Sequence, residues 1–257
     1  MNHLQYQSLG DESKRLFGLI GYPLSHSFSK KYFDKKFSAE KIDNAFFELF
    51  SIEKIEALHE ILKLNKNLSG LAVTIPYKKE VLPFLDETDE LVNKTGACNC
   101  ISIRSGKLCG YNTDIMGFEG SFKKNISTHH NKALVLGTGG AATAVEFVLK
   151  KMNIPYRSVS RKNNEADVLT YDQLNKDILQ EYSIIINTTP VGTYPNVEEA
   201  PALPYEFITK EHYLFDLVYN PAETKFLQLG KEKGAVTQNG YDMLVLQAEE
   251  NWRIWNK

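Results

Sequence analysis

The 257 residues hold only three cysteines and two tryptophans, and no charge of one sign prevails: 30 Lys and Arg stand against 32 Asp and Glu, a formal charge of −2. Three cysteines, Cys98, Cys100 and Cys109, leave one odd. That argues against a disulfide framework and for reduced thiols. Two of them form C-x-C rather than the C-x-x-C of common zinc sites, and no histidine is close in sequence, so no metal site is expected. Balanced charge supplies no basic field for nucleic acid. No apolar run approaches the roughly 20 residues of a membrane span. The opening Met1 to Arg15 is polar, with no signal-peptide core. Repeats and low-complexity segments are absent as well. The expectation is a soluble, cytoplasmic protein with enough chain for two domains.

What the sequence does have is a central stretch, Ala133-Leu134-Val135-Leu136-Gly137-Thr138-Gly139-Gly140-Ala141-Ala142. A short apolar run ends in glycines and a helical segment, Thr143 to Lys151, follows at once. This is the strand–turn–helix order of a dinucleotide-binding unit, with Gly137, Gly139 and Ala142 in the fingerprint positions. Gly137 permits a tight turn, Gly139 lets backbone approach a pyrophosphate, and Ala142 is small enough for close helix–strand packing. The helix N-terminus offers unpaired N–H groups to the phosphates. Taken alone, the stretch fits an ordinary glycine-rich turn equally well. The next strand, Tyr156 to Ser160, ends in Arg161-Lys162 with no carboxylate. An acid there would grip the ribose 2′-hydroxyl of NAD, whereas a guanidinium suits a 2′-phosphate. A solvated basic turn is the plainer reading, but position and charge together favour NADP.

In the first half, Leu16–Ile20 reads as a strand before the loop Gly21-Tyr22-Pro23-Leu24-Ser25-His26-Ser27-Phe28-Ser29. Its hydroxyls fit ligand contact and helix capping equally; Ser29 is the better cap candidate, which leaves Ser25 and Ser27 free. Ala45–Leu49 reads as a strand and Ser51 as the cap of a helix carrying Ile52, Ile55, Leu58, Ile61 and Leu62. A third strand, Leu68–Ile75, is stopped by Pro76. Thr74 and Lys78 then stand at a strand end and helix start, where a lysine opposes the helix dipole; a solvated lysine is the bland alternative. Asp86–Asn93 looks helical, and Ser105-Gly106 marks a hairpin. Asp114 opens a helix and could be only its cap. The polar stretch Ser121 to Asn131, with His129-His130 exposed, is the expected junction. Later strands are Tyr182–Asn187, Tyr213–Val218 and Ala235–Thr237. A final helix runs from Asn239-Gly240 to Trp255, with Gln247 beside an apolar stripe of Leu244, Ala248, Trp252 and Trp255.

Taken together, several of these segments resemble the shikimate dehydrogenase family from Gly21 to Gln247. They are Gly21 to Ser29, Val73-Thr74-Ile75-Pro76-Tyr77-Lys78, Gly96-Ala97-Cys98-Asn99 and Asn112-Thr113-Asp114. The second half adds Gly137 to Ala142, Asn187-Thr188-Thr189, Asp216 to Pro221 and Asn239 to Leu244. The resemblance implies an α/β fold of two domains with a cleft between them. The first is an N-terminal substrate domain, 1–125 with a returning helix 240–257. The second is a C-terminal Rossmann-like NADP-binding domain, 126–239. It implies NADPH-dependent, reversible reduction of 3-dehydroshikimate to shikimate, in chorismate and aromatic amino acid biosynthesis. By motif position Lys78 and Asp114 match the catalytic pair. Ser25, Ser27, Thr74, Asn99, Tyr219 and Gln247 match the substrate contacts. Gly137, Thr138, Gly139, Gly140, Ala141, Arg161, Thr188, Leu217 and Gly240 match the cofactor contacts. The implied partner is a small-molecule substrate, with no nucleic acid or membrane, in a monomer or homodimer. The family commonly has Asn at Ala72, Pro at Lys30 and Thr at Cys100, and Asn-Arg-Thr where Ser160-Arg161-Lys162 stands; Ala72 removes a donor near the site. The rivals are a quinate enzyme using NAD, a member of the fold without activity, and a folate dehydrogenase of related architecture.

Overall fold

The computed structural model describes residues 12–24, 27–161 and 167–257. They form two compact units, one running to Thr113 and including Ala248–Lys257, the other Asp114–Gln247.

The first unit holds β1 (Arg15–Gly21), α1 (Phe28–Ala39), β2 (Ala45–Ser51), α2 (Leu58–Leu64), β3 (Leu68–Val73), β4 (Glu87–Thr88), α3 (Glu90–Thr95), β5 (Cys100–Arg104) and β6 (Lys107–Tyr111). Its sheet has the order β2-β1-β3-β5-β6-β4. β1 to β3 are mutually parallel, and β5 turns the sheet antiparallel, facing β3 and β6. The β5–β6 turn is the expected Ser105-Gly106 hairpin, with both residues at positive φ. Strand alternation sends Leu16, Ile20, Leu71 and Val73 to one face and Phe17, Leu19 and Ala72 to the other, so both faces are covered. The second face takes the end of α8 (Tyr241–Trp255), where Trp255 stacks on Phe17 at 5.0 Å and its indole N–H donates to the Ile101 carbonyl at 3.0 Å. Fully burying a side chain such as Phe17 is worth roughly 1.5–3 kcal/mol.

The second unit holds α4 (Asp114–Phe122), β7 (Ala133–Leu136), α5 (Gly140–Lys151), β8 (Tyr156–Ser160), β9 (Leu169–Thr170), α6 (Lys176–Glu181), β10 (Ile184–Asn187), β11 (Tyr213–Asp216), α7 (Lys225–Glu232), β12 (Val236–Gln238) and residues 241–247 of α8. Its sheet is parallel throughout, in the order β12-β11-β10-β7-β8-β9. Read from the other edge this is the doubly wound dinucleotide order, which reverses direction between β7 and β10. Continuous apolar runs such as Ile184-Ile185-Ile186 are fully buried, as helices on both faces of a parallel sheet require. α4 belongs to this unit because Phe118 and Phe122 pack edge-on and stacked against Phe215 and Tyr213.

Several local expectations are corrected. Ser27, not Ser29, caps α1, its hydroxyl accepting from the Ser29 N–H at 3.3 Å. Ser51 caps no helix; it is the last residue of β2, paired with Gly21, and α2 starts only at Leu58. Asp86–Asn93 is not one helix: Glu87–Thr88 pairs with β6, and Asp89 caps α3 through the Val92 N–H at 2.7 Å. His130 is buried, its Nδ1 accepting from the Ser127 N–H at 3.0 Å and its ring lying against Tyr213. Burial holds its pKa below the usual histidine value.

Candidate active site

In the second unit the site forms where the strand order reverses. Gly137 follows β7 at φ +106, and a Cβ there would sit 2.8 Å from Thr188 Oγ1. Only glycine combines that dihedral with so close a neighbour. Thr188 follows β10, and its N–H and hydroxyl both donate to the Leu136 carbonyl, at 3.0 and 2.7 Å. Thus the two turns are stitched together at the strands' carboxyl ends, the place where such sheets bind ligands. Gly139 precedes α5, and among the described residues beyond its two chain neighbours no atom lies within 4 Å of the place its Cβ would take. Thr138 and Gly139 are exposed, Gly140 and Ala141 half-buried, and Ala142 is buried against the sheet. An open backbone cradle ahead of a twelve-residue helix, with no side-chain cap among the described residues, fits a pyrophosphate. Arg161 follows β8 and is exposed; Lys162 lies outside the described residues.

The neighbouring strand ends carry two motif residues to which the sequence assigned no role. Asn187 and Asp216 end β10 and β11 and pair in register. Both are fully buried, as is Thr224. Asn187 Nδ2 donates to Asp216 Oδ1 at 2.9 Å, and Asn187 Oδ1 accepts from the Thr189 N–H and hydroxyl at 3.1 and 2.6 Å. Asp216 also accepts from the Val218 N–H at 3.0 Å and from the Thr224 hydroxyl at 2.5 Å. One carboxyl group therefore organises the loops that carry Thr188 on one side and Leu217 and Tyr219 on the other. Burial pushes its pKa up to about 7, against the opposing effect of the hydrogen bonds from Thr224, Val218 and Asn187. A readable signal was available: each strand is an apolar run that ends in a single polar residue. Gly240 approaches the same loop, where a Cβ would lie 2.1 Å from the Leu217 carbonyl oxygen. Any side chain there would displace backbone.

In the first unit β1 and β3 end side by side. The Thr74 N–H donates to the Ile20 carbonyl and the Tyr22 N–H to the Ile75 carbonyl, both at 3.0 Å. The Tyr22-Pro23 and Ile75-Pro76 peptides are cis. Lys78 lies not at a helix start but in a run of turns from Ile75 to Val81. The reason is visible in its carbonyl, which accepts from the Cys98 N–H at 2.8 Å instead of continuing a helix. The argument from an opposing helix dipole therefore lapses; what remains is a half-buried lysine whose backbone is pinned beside Asn99. Asn99 is buried, its Oδ1 accepting from the Thr113 N–H at 2.7 Å. Thr74 and Ser27 are half-buried, and Ser25 lies outside the described residues. Ala72 faces Cys100 across β3 and β5 within the apolar cluster that includes Phe17 and Ala248, so its side chain is a core group. Lys30 donates to the Phe47 carbonyl at 2.6 Å and to Glu48 at 3.1 Å.

Asp114 is the first residue of α4 and is 5% exposed, far more buried than a surface cap. Gln247, on α8, is half-buried and donates to the Leu244 carbonyl at 2.9 Å. Tyr219 is half-buried after β11. Among the described residues no group of three or more His, Cys, Asp or Glu side chains could hold a metal ion.

Comparison with known proteins bears on these arrangements. Residues 19–101 match the model of the shikimate dehydrogenase substrate binding domain. A Clostridium beijerinckii protein named shikimate dehydrogenase (NADP(+)) is 39% identical, covering 94% of this chain and 92% of its own. The solved structure of shikimate dehydrogenase 1 from Peptoclostridium difficile superposes with a TM-score of 0.83 at 36% identity, covering 94% of this chain and 91% of that one. Shikimate 5-dehydrogenase from Thermus thermophilus, solved in complex with NADP(H) and shikimate, gives 0.82 at 28% identity, with 94% and 93% covered. With a glycine turn at the switch point of a doubly wound sheet, and relatives matched along nearly the whole length, the chain belongs to the shikimate dehydrogenase family.

Proposed function

We propose that this chain catalyses the reversible, NADPH-dependent reduction of 3-dehydroshikimate to shikimate, a step of chorismate and aromatic amino acid biosynthesis. The observation that carries the reading is the 39% identity to a shikimate dehydrogenase (NADP(+)) over 94% of the chain. The chain's own residues agree with it. The cradle of Gly137, Thr138, Gly139, Gly140 and Ala141, with Thr188, Leu217 and Gly240 around it, fits a dinucleotide. Arg161, with no acid at the β8 end, fits its 2′-phosphate.

NADPH, when bound, supplies the hydride for the C3 carbonyl. Negative charge that develops on the carbonyl oxygen needs a stabilising donor and a proton. Lys78 provides both as an ammonium, on a backbone pinned through its carbonyl to Cys98. Asp114, as a carboxylate, orients that ammonium and accepts a substrate hydroxyl. Ser25, Ser27, Thr74, Asn99, Tyr219 and Gln247 bind the substrate's carboxylate and hydroxyls. Ser27 can cap α1 and still serve, because its hydroxyl accepts from Ser29 while its own proton is available to donate. The same reading divides the chain by function into a substrate domain, 1–125 with 240–257, and a cofactor domain, 126–239; by packing, α4 and residues 241–247 belong with the second unit. So does a cytoplasmic monomer or homodimer; none of the three cysteines is in a disulfide.

The test is NADPH consumption by the purified chain. Adding 3-dehydroshikimate should oxidise NADPH, and shikimate with NADP should run the reaction backwards. No turnover in either direction would overturn the proposal.

A further inference from the structure

Thr113 stands between two buried amides. Its backbone N–H donates to Asn99 Oδ1 at 2.7 Å, which decides which end of that amide is oxygen, because a backbone N–H can only donate. The other end, Nδ2, donates to Thr113 Oγ1 at 3.0 Å. A hydroxyl has one proton to place, and Thr113 has an acceptor for it in Asn251 Oδ1 at 2.6 Å, on the last turns of α8. A competing acceptor is close by: Asn99 Oδ1 itself lies 3.2 Å from Thr113 Oγ1. Asn99, Thr113 and Asn251 are 3%, 2% and 1% exposed, so water does not readily stand in for a lost partner.

We infer that Asn251 is a positioning residue for substrate recognition: by taking the Thr113 hydroxyl proton it keeps that hydroxyl an acceptor for Asn99 Nδ2, and so secures the amide orientation that the Thr113 N–H selects. It thereby sets how many bonds Thr113 makes to the Asn99 oxygen, and so how readily that oxygen accepts from a substrate hydroxyl. The inference rests on the reading of Asn99 as a substrate contact. While Asn251 takes the hydroxyl proton, the Thr113 lone pairs are left to accept from Asn99 Nδ2. Without an acceptor at 251 the proton turns to Asn99 Oδ1. That oxygen is then engaged twice by Thr113, and its capacity to accept from a ligand falls. A leucine at 251 keeps bulk and removes the acceptor; an aspartate keeps an acceptor oxygen in place.

The experiment uses the full chain and measures KM for shikimate, kcat, and the Kd for NADP by nicotinamide-independent titration calorimetry. Asn251→Leu is expected to raise KM about tenfold, with kcat and NADP affinity within about threefold of wild type, a single lost buried hydrogen bond. Asn251→Asp should restore most of the KM. Thr113→Val should raise KM to a similar degree, and the double variant Thr113→Val with Asn251→Leu should be no worse than Thr113→Val alone. If Asn251→Leu does not fold, Thr113→Val alone and combined with Asn251→Asp makes the same test. A raised KM that the second change leaves alone supports the relay. Asn99→Ala separates the two layers of argument. If it raises KM while Asn251→Leu and Thr113→Val do not, the relay is wrong and the substrate contact stands. If Asn99→Ala leaves KM unchanged, the contact and the relay both fall.

Discussion

The second unit's sheet is parallel throughout and its working end is mostly backbone; the first unit's sheet is mixed and its working end is mostly side chains. At the end of β7, Gly137 has no Cβ to clash with Thr188, Gly139 leaves the cradle open, and Thr188 closes the turn by bonding the Leu136 carbonyl. At the end of β3 the elements instead bring Thr74, Lys78 and Asn99 near one another through bonds between distant segments, such as Lys78 carbonyl to Cys98 N–H. The contrast suits the ligands each region is proposed to bind. A pyrophosphate is read by N–H groups and a helix end, which any sequence with the right glycines supplies. A small hydroxylated acid is read by placed side chains, each of which can be lost singly. Damage in the first region should therefore fall on one kinetic constant, and damage in the second on cofactor affinity or on folding.

The largest expected effect breaks the first region's chemistry. Lys78→Met should lower kcat by on the order of 10²–10⁴, about 3–5 kcal/mol of barrier, with much less change in KM. Asp114→Asn combined with it should cost far less than the product of the two single losses, because the pair is proposed to act as a unit. Steady-state kcat for wild type, both singles and the double checks this; near-normal turnover in Lys78→Met removes its role.

Next comes the second region's buried acid. Asp216 titrates near 7 when folded and near 3.8 when unfolded. Between those values the folded state holds the proton more often, so stability falls as pH rises through the window and levels off above about 7. Asp216→Asn does not titrate. The unfolding free energy of wild type minus that of Asp216→Asn should therefore decline from about pH 4 to about pH 7, by roughly 4 kcal/mol at most at 1.36 kcal/mol per unit. Denaturant titrations across that range measure it. A flat difference would mean that the carboxyl group is ionised throughout and the Asn187–Asp216–Thr224 cluster is an ordinary hydrogen-bonded carboxylate.

How the two regions appeared in sequence follows from the same contrast. The glycine turn, the hairpin at Ser105-Gly106 and the strands of the parallel sheet were legible because each is set by neighbours in the chain: a run of apolar residues, then a residue with special dihedrals. The first region was harder. Lys78 was singled out on an expected helix that does not form, since its carbonyl is claimed by Cys98, twenty positions on. Ser27 rather than Ser29 caps α1, a shift of two residues that composition cannot resolve. His130 looked like part of an exposed linker, yet it packs on Tyr213, more than eighty residues away. Asn251 carried no signal at all, because its role depends on Thr113 and α8 meeting in the fold. Asn187 and Asp216 were legible in principle, as lone polar ends of apolar strands, but only pairing in register shows that they face each other.

A smaller effect sharpens the cofactor side. Arg161→Ala should remove roughly 2–3 kcal/mol of charge-assisted contact, weakening NADP tens- to a hundredfold and sparing NAD. Equal weakening of both cofactors would take Arg161 off the 2′-phosphate. Smallest is Ser27→Ala, which should cost about 1 kcal/mol of stability through the lost cap of α1. If Ser27 also holds substrate, KM rises in the same variant while NADP affinity stays constant; an unchanged KM would leave it a cap alone.

The central claim, that this chain oxidises and regenerates shikimate with NADP, is tested most directly by one matrix of initial rates: shikimate and quinate, each with NADP and with NAD. The account predicts the highest kcat/KM for shikimate with NADP, and a loss on changing either partner. A higher kcat/KM for quinate with NAD would contradict both the substrate and the meaning assigned to Arg161.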